Sequence, residues 1–137
     1  MAQFKLIEII KTVEKETQSI YDKDDLTTAL NEMHNDFGAN VKLDATIGAY
    51  VTLINNETAE QVDCLQWGEP VKDRVYTHNN FEDDNIAGYD SEKLAIGNYH
   101  TKLSRQKSNT KCTHAITIRL DGKGKYKDFD CYNAPTE

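Results

Sequence analysis

Four histidines, His34, His78, His100 and His114, are the side chains of this chain that exchange protons near neutral pH without special tuning. Three stand in β-type surroundings, as Tyr76-Thr77-His78, Tyr99-His100-Thr101 and Thr113-His114-Ala115, where a sheet could collect two of them beside Lys102 or Lys111. Such a group has the chemistry of a small metal-independent phosphodiesterase or a nucleotide-binding protein, with His78, His100 and His114 moving protons and Lys102 holding the developing negative charge. Imidazoles could also join Asp83 or Asp90 on a metal ion. The spacing nevertheless builds no recognisable ligand set, so no metal and no other cofactor is expected. His34 falls on the polar side of a helix and reads as solvated.

A second group has the chemistry of contact. The stretch Asn79 to Glu92 is acidic and turn-rich and carries two aromatic residues, so Phe81, Glu82, Asp83, Asp84, Tyr89 and Asp90 are candidates for partner binding. Read as a calcium loop from Asp83, the same stretch fails at two positions. Its fifth ligand falls on Ala87 and its closing bidentate residue on Leu94. Downstream, Lys102, Arg105, Lys107 and Lys111 form a basic strip in a polar segment read as an exposed loop, and would suit phosphate or another small anion. No aromatic residues interleave with them for base stacking, so nucleic acid is not expected as a direct ligand.

The charge is unevenly spread. Residues 1 to 100 carry 8 basic and 19 acidic side chains, and residues 101 to 137 carry 8 basic and 4 acidic, a split of −11 against +4 that would make the molecule an electric dipole. No phosphate loop, nucleotide fingerprint, nucleophile elbow or zinc motif is present. Cys64, Cys112 and Cys131 are odd in number and widely spaced, which fits reduced thiols in a cytoplasmic protein better than a disulfide framework. No run approaches the ~20 apolar residues of a membrane span, and the charged N-terminal run is unlike a secretory leader.

At 137 residues the chain is read as a single domain, 1–137, with no internal repeat. Leu6, Ile9, Ile10 and Val13 recur at helical steps, and Leu26, Ala29, Leu30, Met33 and Phe37 do so behind an Asp24 or Asp25 cap and before Gly38. Together they predict an N-terminal helical pair. Alternation or β-branched runs predict strands over Val41 to Ile47, Tyr50 to Ile54, Ala59 to Trp67 and Arg74 to Thr77. Lys93 to His100 leans to strand, and a hairpin is expected over 113 to 132 around Asp121-Gly122. In that hairpin Ile116, Ile118 and Leu120 should face the helices. The expected fold is α+β, the helical pair packed on one mostly antiparallel sheet of four to six strands. An apolar opposite face would make a homo-oligomer or partner surface.

In size, acidity and absence of catalytic motifs the chain resembles the small inhibitors carried by phages and mobile elements, and toxin-immunity proteins. That resemblance implies a non-enzymatic binding or inhibitory module whose acidic surface occupies a basic site on a protein partner.

Overall fold

Residues Phe4–Lys11 place isoleucine at positions 7, 9 and 10 and bury both faces, a pattern that β-branched residues satisfy in a strand. The protein's computed structural model, which describes residues 3–134, accordingly begins with a hairpin and not with the expected helical pair. Strand β1 (Phe4–Lys11) turns where the Thr12 amide donates to the Lys15 carbonyl at 2.8 Å, and returns as β2 (Glu16–Lys23). The helical spacing there arises because a strand buried on both sides is apolar at odd and even positions alike. Val13, the fourth member of the supposed helical stripe, lies in the turn and is 85% exposed.

Helix α1 (Leu26–Val41) starts where the Asp25 carboxylate accepts from the Thr28 amide at 2.8 Å, a bond that pulls the carboxyl pKa down. It runs through Gly38, where a stop was expected, and the segment after it forms turns in place of the expected strand at Val41 to Ile47. Strands β3 (Gly48–Asn55), β4 (Gln61–Gly68) and β5 (Asp73–Asn79) match the expected runs. The acidic stretch contributes a short strand, β6 (Asn85–Tyr89). Lys93 to His100 and most of the basic strip, expected as strand and loop, form a single helix, α2 (Glu92–Ser108). Ser91 caps it by accepting from the Leu94 amide at 3.2 Å. Its buried positions are Ala95, Tyr99 and Gln106, too small or too polar to register as an apolar stripe. The C-terminal hairpin forms as expected from β7 (His114–Leu120) and β8 (Tyr126–Asn133).

The strands make two four-stranded antiparallel sheets, ordered β2-β1-β3-β4 and β6-β5-β7-β8, so the fold is mostly β with two helices. The chain divides into two compact units. The first comprises residues up to 56 with 60–71 and 122–125, and the second 57–59, 72–121 and 126 onward. Both have the element order ββαββ with the same strand order and the same pairings, which reveals an internal repeat. The helix caps Asp25 and Ser91 are 66 positions apart, as are Ala29 and Ala95, Met33 and Tyr99, His34 and His100, and Ala49 and Ala115. The register slips at matching points, between Leu53 and Ile54 against β4 and between Arg119 and Leu120 against β8.

On this common frame the two interiors have diverged. In the first unit Phe4, Leu6, Val51 and Leu53 pack with Ala29 and Met33 of α1 in an apolar core. The corresponding sheet face of the second unit carries Asp73, Val75, Thr117 and Arg119 beside Tyr99 and Gln106 of α2. Thr117 and Arg119 therefore face α2, the reverse of the expected orientation: Gln106 Nε2 donates to Thr117 Oγ1 at 2.8 Å. The opposite faces are buried as well, through Ile7, Ile9, Tyr50 and Ile54 in one unit and Tyr76, Ile116, Ile118 and Leu120 in the other. An exposed apolar sheet face is thus not available to another copy through these residues.

Gly124 shows how tightly the first unit is closed. Its φ is +83°, its carbonyl accepts from Gln61 Nε2 at 2.6 Å, and a Cβ would meet the fully buried Tyr50 ring at 2.7 Å. Gly124→Ala combines a left-handed backbone with a clash and is expected to cost about 2 kcal/mol or more. A chemical-denaturation midpoint unchanged from wild type would overturn that account.

Candidate functional site

The turn after β5 begins with Asn79-Asn80, and asparagine there can replace a backbone partner with its own amide. Asn79 Oδ1 accepts from the amides of Phe81 and Glu82 at 3.1 and 2.8 Å. Its Nδ2 donates to Gln106 Oε1 on α2 at 2.6 Å and to Glu82 Oε1 at 3.1 Å. Asn80 works in the other direction. Its Oδ1 accepts from the Thr113 and His114 amides at 2.8 and 3.2 Å, while Nδ2 donates to the Lys111 carbonyl at 2.9 Å. Two adjacent side chains thereby tie the loop to α2 on one side and to the entry of β7 on the other.

Charge pairs fasten the rest of the loop. Asp84 Oδ1 lies 2.6 Å from His78 Nδ1, with both side chains largely buried, and its Oδ2 accepts from the Tyr76 hydroxyl at 3.4 Å. Lys102 donates to Asn85 Oδ1 at 3.0 Å, and Arg105 stands 3.6 Å from Glu82. Burial, with Arg105 nearby, pulls the Lys102 pKa down while Glu82 opposes the shift. Glu82, Asp83, Asp84, Asn85, Lys102 and Arg105 line one groove of about 380 Å³. The acidic loop and the first half of the basic strip, separate features in the sequence, form a single bipolar site because α2 is a helix and presents 102 and 105 one turn apart.

The remaining candidates are distributed elsewhere in the second unit. Asp90 pairs with Lys72 at 3.0 Å, and half-buried Tyr89 stands on β6 with its phenol pKa raised by burial. Lys107 reaches Asp130 at 3.3 Å and lies 5.8 Å above the Tyr132 ring; Lys111 lies beyond the end of α2. His78 and His114 come together, ring centroids 6.0 Å apart and nearly edge to face, on adjacent strands. His114 Nδ1 is 2.8 Å from Asn133 Oδ1. His100 packs against the Tyr99 ring on α2, and among the described residues it makes no ring contact with the other imidazoles. In the first unit His34 sits 3.5 Å from Asp63.

Among the described residues no group of three or more His, Cys, Asp or Glu side chains could hold a metal ion, and no helix is long and apolar enough to cross a membrane. Cys64, Cys112 and Cys131 form no disulfide among the described residues; burial raises the pKa of Cys112 and Cys131, which disfavours their reactive thiolate forms.

The chain matches no protein-family model, no curated protein and no solved structure in comparisons with each. What the site can do follows from its own chemistry. Sequence reasoning found the charged members of the groove and missed Asn79, Asn80 and Gln106, which hold it in shape. The signal was the Asn-Asn pair at a strand end.

Proposed function

We propose that this protein is a non-enzymatic binding or inhibitory module, of the kind carried by phages or mobile elements and acting in the cytoplasm, that engages a basic surface of a protein partner through the loop 79–85. The observation that supports this reading is the degree to which the loop is held in place. Asn79, Asn80, Glu82, Asp84 and Asn85 all point back into the second unit, leaving Asp83 exposed at the rim beside half-buried Phe81. A loop already ordered before binding avoids the entropy of immobilising its side chains, at about 0.5–1.5 kcal/mol each. An aromatic residue beside an unpaired acid gives it an anchor and a sign. His78 enters this reading as the group that latches Asp84, a positioning role.

The test is comparative capture from host extract with immobilised wild type and with the Phe81→Ala/Asp83→Lys double variant. A partner retained by wild type at moderate salt should fall at least about tenfold with the variant, the scale of one lost anchor. Equal retention by both proteins would remove the loop from the function, and no retention even at low salt would count against the binding reading itself.

A further inference from the structure

We propose that the groove beside the loop accepts one cationic side chain of the partner polypeptide, a guanidinium or ammonium group, with Asp83 as its counter-ion; this rests on the binding reading above. The groove holds three carboxylates, Glu82, Asp83 and Asp84, against two cations, Lys102 and Arg105. Arg105 faces Glu82 at 3.6 Å, Lys102 is bonded to the Asn85 amide oxygen, and Asp84 is turned inward onto His78 and Tyr76. Asp83 is the lining carboxylate with no ion pair or hydrogen bond among the described residues. One negative charge is therefore left uncompensated at the mouth of the groove.

An anion is the less suitable guest. The two basic side chains that line the groove already face loop oxygens, and an incoming phosphate or carboxylate would have to break those contacts while approaching Asp83. A cation meets Asp83 and leaves them in place. Phe81, half-buried in the same loop two positions before Asp83 though not part of the groove lining, is the aromatic residue nearest in sequence for the stem of a bound lysine or arginine.

N-acetyl-L-argininamide, titrated into the full chain and followed by amide NMR shifts, tests this directly. Saturable shifts centred on residues 82–85 and on 102 and 105 are expected with a weak midpoint, on the order of tens of millimolar or above, because a single exposed charge contact contributes little to affinity. Asp83→Asn should weaken the midpoint at least about fivefold, in line with loss of that one charge. Absence of saturable shifts, equal affinity in Asp83→Asn, or tighter binding of N-acetyl-L-glutamate amide would each overturn the proposal. Partner capture with the same Asp83→Asn protein separates the two ideas. Loop-dependent capture without arginine binding sinks the cation pocket alone, whereas arginine binding without loop-dependent capture sinks the wider reading.

Discussion

Arg119→Ala should lower the stability of the protein by about 3 kcal/mol, the scale for removing one member of a buried ion pair. The Arg119 side chain is 8% exposed and sits among three acids: Asp128 at 2.8 Å from Nε, and Asp73 at 3.7 Å and Glu92 at 4.0 Å from Nη1. Asp128 and Glu92 are open to water, which would screen them once the arginine is gone. Asp73 is not, and its stranded charge dominates the loss. Burial already raises the Asp73 pKa, with Glu92 adding to the rise and Arg119 opposing it, so the variant raises it further. A carboxylate whose folded-state pKa is raised contributes stability that is present below the unfolded value and lost as pH rises through the folded value. The deficit of Arg119→Ala against wild type should therefore widen as pH climbs from the ordinary carboxylate range through the raised value. Denaturant midpoints across that window check it, and a deficit independent of pH would clear Asp73 of responsibility. The internal repeat supplies the complementary experiment. Asp73→Phe with Arg119→Leu copies the residues found at the corresponding positions of the first unit, Phe4 and Leu53, and should recover most of the loss.

Asn79→Ala is expected to cost about 2–4 kcal/mol, because it removes bonds to a side chain that has no access to water. Gln106 is 1% exposed and would lose the donor to its Oε1, while the amides of Phe81 and Glu82 would lose their acceptor. Two consequences should appear together. Exchange of the Phe81 and Glu82 amide hydrogens should quicken by about tenfold or more, as expected for loss of about 1.4 kcal/mol of local protection. Partner capture should weaken even though Phe81 and Asp83 are intact. A global loss of stability with unchanged exchange at 81 and 82 would show that Asn79 serves the interior and not the loop. The corresponding position of the first unit holds Ile10, opposite Ala49 in β3 as Asn79 is opposite Ala115 in β7. An asparagine at a place the frame can fill with isoleucine is what a loop-holding role would require.

Local chemistry made several elements legible from residues alone. The Asp25 cap with Ala29 and Met33 marked α1, and strict alternation around Asp121-Gly122 marked the last hairpin. The charged residues of the groove were visible by type. The N-terminal hairpin was not, because Leu6, Ile9 and Ile10 fit a helix as well as a strand, and periodicity cannot separate the two when both strand faces are buried. Helix α2 was hidden for the opposite reason. Of its inward residues, Ala95 is small, Tyr99 carries a hydroxyl and Gln106 meets Asn79 and Thr117 by hydrogen bonding, so no apolar stripe announces it.

By itself, then, the amino-acid sequence determined the Asp25 cap, the strands β3, β4 and β5, the last hairpin and the acidic and basic chemistry, since each depends on neighbours a few positions away. Only the tertiary structure decided that the chain is a repeated ββαββ frame, that Lys102 and Arg105 meet Glu82 and Asn85, and that Asp84 is bound to His78 while Asp83 is not. Those outcomes depend on which strand lies beside which and which helix covers which face. They are set by burial summed over distant segments, a quantity that no local pattern of residues contains.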